Sequence, residues 1–327
     1  MSQGSLASGM EAQRSRKASF RIMQDRPWLA GYALLSPTML LMLVLLVAPI
    51  VALIAMSFWT QNGFQIDTSP TANNYWRLVA PSATPTIWNG IPFPFENAVY
   101  AIALFKSILI SLVTTLFVIL IAYPMAYFLA FAVGRNKTIW LILITIPFWT
   151  SYLLRVFAWK IMLGFNGVIN SGLVSLGIID QPLTFLLYNP AAVVITLVHA
   201  WVAFAILPIY VSLEKIDRSL LEAATDLGDR PWQVFRRVTL PLSAPGTIAA
   251  SLLVFIPTVG DYVTPTLVGG AGGTMVGNLI QTLFGRQNDQ PLGAALSIVM
   301  MIVVTLIVCL FLWSTGYGRM RAREASS

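Results

Sequence analysis

The sequence predicts an all-α polytopic membrane protein with six transmembrane helices, and three observations predict it. The chain is 57% hydrophobic and only 10% charged over 327 residues, whereas soluble domains carry about 25% charged residues. Its apolar residues gather into six runs, each long enough for the roughly 20 helical residues that cross a bilayer core. Its lysines and arginines sit almost entirely on alternate loops. Such runs must be helical, because a backbone in lipid has to satisfy its own hydrogen bonds.

Residues 1–31 form a cytoplasmic tail carrying Arg14, Arg16, Lys17, Arg21 and Arg26. The run that follows is too long for the core of a signal peptide and lacks a small-residue cleavage site. Residues 32–58 are therefore expected to be an uncleaved first span. Residues 59–102 make a long outside loop, rich in Asn, Pro and aromatic residues. It either folds over the outer mouth, meets an external partner or merely connects. The core at 103–316 holds helices at about 103–131, 138–162, 191–213, 244–268 and 292–316, with a cytoplasmic loop at 214–243. Residues 317–327 form the C-terminal tail. Pro124, Pro147 and Pro208 mark kinks. With the N-terminus inside, the cytoplasmic segments hold fifteen Lys and Arg residues and the outside loops hold only Arg77 and Arg286. That bias places both termini in the cytoplasm.

Several functions are excluded at this stage. The net charge is +7, but the basic residues lie between apolar runs, where they act as topology signals, so no nucleic-acid partner is expected. Cys309 is the single cysteine and His199 the single histidine, so neither a disulfide framework nor a multi-histidine metal site is expected. No G-x-x-x-x-G-K-[ST] phosphate loop occurs. The chain is thus expected to bind no cofactor of its own and to take its energy from elsewhere.

Residues 219–241 read SLLEAATDLGDRPWQVFRRVTLP, a polar and basic insert between apolar helices. Ser219 and Glu222 have the spacing of a capping box. Leu220, Leu221, Ala224 and Leu227 recur on one helical face. Gly228 stands where a helix stop uses the left-handed conformation. Asp229 or Arg230 with Pro231 starts a second short helix bearing Trp232, Phe235 and Val238. Pro241 is expected to break the chain before the next span. A helix this short needs something to pack on.

These residues resemble a known signature. Glu222, Ala223 and Ala224, then Gly228, then Val238, Leu240 and Pro241 match E-A-A-x3-G-x9-I-x-L-P, with Val for Ile. The signature marks the membrane subunits of binding-protein-dependent ABC importers. The stretches SYLLRVFAWKIMLGFNGVIN (151–170), LPIYVSLEKID (207–217), VFIPTVGDYVTPTLVGG (254–270) and VGNLIQ (276–281) are similar to the first permease subunits of spermidine/putrescine importers. Relatives in that group also carry opines, amino-acid derivatives and other small solutes. The resemblance implies a type I importer membrane domain in a bacterial inner membrane. It also implies a pair of ATP-binding subunits holding ATP and Mg, a second homologous permease and a periplasmic solute-binding protein. The seven signature residues would couple this chain to the ATPase. Arg236 and Arg237 would face either the ATPase or anionic lipid.

Asp261 is the only acidic residue inside an expected span. An intramembrane charge costs several kcal/mol and usually faces a bundle interior or a water path. Beside Tyr262, Tyr152 and Trp149, its carboxylate suits a polyamine through charge pairing and cation–π contact. A buried structural role, paired with Arg155, is the alternative. Arg155 would repel a polycation unless paired, and would welcome an anionic or zwitterionic cargo. Lys160 can snorkel to the membrane surface, and His199 is expected to serve as a helix-contact residue. A secondary transporter needs coupling-ion sites, for which only Asp261 and His199 are available. A membrane-embedded enzyme needs a nucleophile–base set, and none stands out.

Overall fold

The computed structural model describes residues 27–134 and 136–316. The expectations that fall on the N-terminal tail, Arg135 and the C-terminal tail lie outside the described residues. The chain divides into two compact units, residues 1–56 and 57–327. The first contains nearly all of α1 (Pro27–Ser57), which is apolar on every side, carries no charged residue and includes Pro37 and Pro49. A helix hydrophobic all round suits lipid or a protein interior.

The second unit begins with two hairpins and a short helix: β1 (Thr60–Asn62), β2 (Gln65–Asp67), α2 (Asn73–Val79), β3 (Pro81–Trp88) and β4 (Ile91–Phe95). Strands β1 and β2 pair antiparallel, as do β3 and β4. The β3–β4 turn uses Asn89 and Gly90, both at positive φ, as a two-residue hairpin favours. The fold is all-α in class, and this loop adds two short hairpins to it. The loop is also tied down. Arg77 pairs with Asp289 at 3.0 Å, Gln61 Oε1 accepts from the Gln290 N–H at 2.9 Å, and Asn74 donates to the carbonyls of Ser57 and Trp59.

The helices of the bundle follow. They are α3 (Ala98–Tyr127, extended by a π turn over Phe128–Ala132), α4 (Lys137–Thr145, extended by a 3-10 turn over Ile146–Trp149) and α5 (Tyr152–Leu163). Next come α6 (Val168–Ser175), α7 (Pro190–Glu214), α8 (Arg218–Asp226) and α9 (Pro231–Val234), which runs through a π turn (Phe235–Thr239) into α10 (Leu240–Val259). Finally α11 spans Val276–Phe284 and α12 spans Gln290–Ser314. Among the described residues, six helical segments are long and apolar enough to cross a membrane: Leu34–Ser57, Ala98–Ala132, Tyr152–Ser175, Pro190–Glu214, Pro231–Val259 and Gln290–Ser314.

Two spans differ from the sequence expectation. The stretch at 138–162 is not one helix. It breaks at Thr150 and Ser151, whose extended backbone (ψ 148° and 136°) follows the 3-10 turn holding Pro147. A second turn through Gly164 and Gly167 separates α5 from α6. A Cβ on Gly167 would lie 2.4 Å from the Ile161 carbonyl oxygen, so only glycine fits. The stretch at 244–268 likewise stops early, at Val259, and Asp261 lies in the non-helical link beyond it.

Helices α3, α7 and α10 pack pairwise and form the centre. Val118, Ala122, Ala126 and Leu129 of α3 meet Ala203, Ile206, Ile209 and Leu213 of α7 and Ala250 and Val254 of α10. Small residues let helix backbones approach, which is how helices associate without a hydrophobic drive from water. The tightest point is Gly246, where a Cβ would sit 2.4 Å from Ser212 Cβ and 2.5 Å from the Pro208 carbonyl oxygen. The Tyr123 and Ser243 hydroxyls, 2.7 Å apart, link α3 to α10.

Candidate functional site

Two regions hold the residues singled out from the sequence: the polar insert at one end of the bundle, and a cavity near the other end of α10.

The insert folds as helix, glycine turn, helix. Its N-cap is Asp217, whose carboxylate accepts from the Ser219 N–H at 3.0 Å. The expected Ser219–Glu222 capping box is thus displaced by two residues, because Asp217 is a stronger charged acceptor at the helix start. This hydrogen bonding holds the Asp217 carboxyl below the usual carboxylate range. Gly228 adopts φ +89°. Its N–H reaches the Thr225 carbonyl at 2.9 Å, and the Asp229 N–H reaches the Ala224 carbonyl at 3.1 Å. That is the Schellman pattern, which closes a helix on a left-handed residue.

The second half does not break at Pro241. The π turn lets the Leu240 N–H reach the Phe235 carbonyl, five residues back. The wider turn moves away the carbonyl that a proline ring would otherwise strike, so the helical run from Pro231 to Val259 is continuous over 29 residues. Phe235 locks this run to α3. Its ring lies 5.8 Å from Tyr123, 6.1 Å from Tyr127 and 5.3 Å from Trp232. Arg237 pairs with Asp229 at 2.7 Å within the insert, while Arg236 is exposed. Nearby, Lys137 pairs with Glu214 at 2.8 Å and donates to the Ala130 carbonyl at 3.0 Å, joining α4, α7 and the α3 terminus.

Of the signature residues, Ala224 is buried and Val238 half-buried; Glu222, Ala223, Gly228, Leu240 and Pro241 are exposed. Leu227 and Trp232 are also exposed, at 88% and 67%. The insert thus presents apolar side chains flanked by charge.

The cavity encloses about 300 Å³ and is lined by Tyr152 and Arg155 from α5, Ala200, Trp201 and Phe204 from α7, and Pro257, Gly260, Asp261 and Tyr262 from the end of α10 and its link. The Tyr152 hydroxyl donates to Asp261 Oδ2 at 2.5 Å and lies 2.6 Å from the Thr264 hydroxyl. Asp261 Oδ1 accepts from the Val263 N–H at 2.9 Å. Gly277 permits this link to sit close against α11, since a Cβ there would lie 2.7 Å from the Gly260 carbonyl oxygen. Asn278 then donates to the Tyr262 carbonyl at 3.0 Å.

Asp261, Tyr262, Tyr152 and Arg155, singled out from the sequence, thus share one wall-to-wall space. Trp149 does not; it is 87% exposed on the 3-10 turn after α4. Nor do Arg155 and Asp261 pair. Among the described residues Arg155 makes no ion pair. It donates to the Ala200 carbonyl at 3.2 Å and lies over the Phe148 ring, 5.0 Å from its centre. Sequence reasoning missed Trp201 and Phe204. Their spacing with Ala200 on one face of α7 was legible, but an apolar face does not say which cavity it lines. His199 packs edge-on to Trp159, 5.4 Å between ring centres, and among the described residues no acidic, histidine or cysteine cluster suits a metal.

The family model for the inner membrane component of binding-protein-dependent transport systems matches residues 104–318. The spermidine/putrescine transport system permease protein PotB of Escherichia coli K12 is 37% identical over 241 residues, 74% of this chain and 81% of that protein. Its namesake from Haemophilus influenzae is 35% identical over 264 residues, covering 80% and 86%. The Escherichia coli inner membrane ABC transporter permease protein YdcU is 35% identical, covering 65% and 71%. A crystal structure of a bacterial ABC transporter that imports the acidic polysaccharide alginate superposes with a TM-score of 0.66 at 18% identity, covering 92% of this chain and 99% of that one; it bears on the fold. The six apolar helices, the matched core and these relatives make the chain a multi-pass permease component, not an enzyme. It belongs to the family of inner membrane components of binding-protein-dependent transport systems.

Proposed function

We propose that the chain is one permease subunit of an ATP-driven importer whose cargo is a small amine of the polyamine type. The observation that supports the cargo is Asp261, a carboxylate on the wall of a 300 Å³ cavity that also holds Tyr152 and Tyr262. A carboxylate beside aromatic rings suits an ammonium group, and the two PotB relatives, at 37% and 35% identity, are named for spermidine and putrescine. The partners that complete the importer are two ATP-binding subunits carrying ATP and Mg, a second homologous permease and a periplasmic solute-binding protein. In this reading residues 214–243 and both termini lie in the cytoplasm and residues 59–102 in the periplasm. Glu222, Ala223, Ala224, Gly228, Val238, Leu240 and Pro241 form the docking surface for the ATPase.

The test is reconstitution of the complete importer in liposomes. Spermidine or putrescine should stimulate ATP hydrolysis and be taken up. Gly228→Val should lower uptake at least several-fold, because a β-branched residue at φ +89° costs about 1–2 kcal/mol and reshapes the docking turn. Uptake that persists without any ATPase subunit would show this reading to be wrong. Arg155 favours a second cargo reading, a solute bearing a carboxylate as well as an amine, such as an opine or amino-acid derivative.

A further inference from the structure

Arg155 and Asp261 line the same cavity yet form no ion pair. Asp261 is supplied with donors by Tyr152 and Val263. Arg155 is short of acceptors: its Nε is buried with no hydrogen-bond partner, and its guanidinium has only the Ala200 carbonyl and the Phe148 ring. A guanidinium carries five donors and cannot lose its proton in a protein. Such a group inside a bundle pairs with an opposite charge or with backbone carbonyls, and here a single carbonyl leaves most of its donors unmet. Asp261, in the link just beyond α10, is the candidate, since it is the acidic residue that lines this cavity.

We propose that Arg155 is an internal competitor of the cargo for Asp261. In a closed arrangement different from the one described, its guanidinium pairs with the Asp261 carboxylate, and the ammonium group of the cargo displaces it. The inference rests on the reading that Asp261 meets an amine. Tyr152 and Arg155 are three residues apart on one face of α5, and Tyr152 already touches Asp261. A slide of α5 by about 4.5 Å exchanges one for the other. Partner exchange of this kind, one turn along a helix, is a known form of switching. Arg155 then sets affinity, because each cargo molecule must outcompete an internal cation.

The test uses the complete importer in lipid nanodiscs with radiolabelled putrescine and spermidine, and the variants Arg155→Gln, Asp261→Asn and the double substitution. Arg155→Gln should bind both amines about tenfold more tightly, and Arg155→Lys, which keeps the charge but not the fork, by a smaller factor. Weaker or unchanged binding in Arg155→Gln would overturn the proposal, and weaker binding would make Arg155 a cargo contact instead. A second arm needs no cargo. Thermal unfolding of the cargo-free complex should show coupling, with the double variant no less stable than either single one; additive effects would refute the pairing. If the wild type binds neither amine, the cargo reading fails while this second arm still decides on the pairing.

Discussion

Gly246 shows how a single residue sets the distance between two spans. Its missing side chain lets α10 lie against Pro208 and Ser212 of α7, and a Cβ would come within 2.5 Å of the Pro208 carbonyl oxygen. A backbone atom cannot move aside as a flexible side chain would. Gly246→Val should therefore destabilise the assembled protein by about 1–3 kcal/mol through overpacking, read as a lower unfolding midpoint in nanodiscs. Gly31→Val should not, because nothing lies within 4 Å of a Cβ there. The same scale explains what the sequence does and does not reveal. Gly228 is legible because a stop after an amphipathic turn demands a left-handed residue, and the structure supplies φ +89°. Asp261 is legible as an isolated charge in an apolar stretch. That it sits beyond a helix end, held by Tyr152 from 109 residues away, is not legible, since such a bond depends on tertiary packing and leaves no local trace.

At the scale of elements, hydropathy reports which stretches avoid water and is silent about where a backbone bends among apolar residues. The break at Thr150 and Ser151 lies between Trp149 and Tyr152 and leaves no mark on an apolar average. The link after Val259 is legible instead in Pro257, Gly260 and Pro265, which loosen the helix there, while Pro241 suggested a break that the π turn over Phe235–Thr239 avoids. That π turn places Phe235 against Tyr123 and Tyr127 and makes it the fastening between the insert and α3. Each aromatic pair contributes about 0.5–1.5 kcal/mol beyond its buried area. Phe235→Ala should leave the six spans in place and loosen only this joint. ATP hydrolysis by the assembled importer should continue while cargo taken up per ATP falls at least threefold. Equal losses in both activities would mean that Phe235 supports assembly rather than coupling.

Across the whole molecule, the insert and the cavity are joined by one continuous helical run. Pro231–Val259 spans 29 residues, about 44 Å at 1.5 Å per residue. It starts beside Gly228 and ends two residues before Asp261. In the proposed reading, a push delivered to the insert reaches the cavity through this single run, which packs against α3 and α7. Stiffness along that run is then a requirement for transport and not only for stability. Leu253 and Ile256 test this, because both lie on the exposed side of α10, at 44% and 47%, where replacing them disturbs little packing. Glycine at each position costs about 1 kcal/mol of helix stability and softens the run. The pair Leu253→Gly and Ile256→Gly should keep ATP hydrolysis near its original rate while uptake drops severalfold. The matching pair Leu41→Gly and Leu45→Gly in α1, whose side chains are 60% and 66% exposed, should leave the ratio of uptake to hydrolysis unchanged, because neither the insert nor the cavity is built from that helix. If both pairs reduce the ratio alike, the motion does not travel through α10, and the continuity from Pro231 to Val259 has no part in coupling.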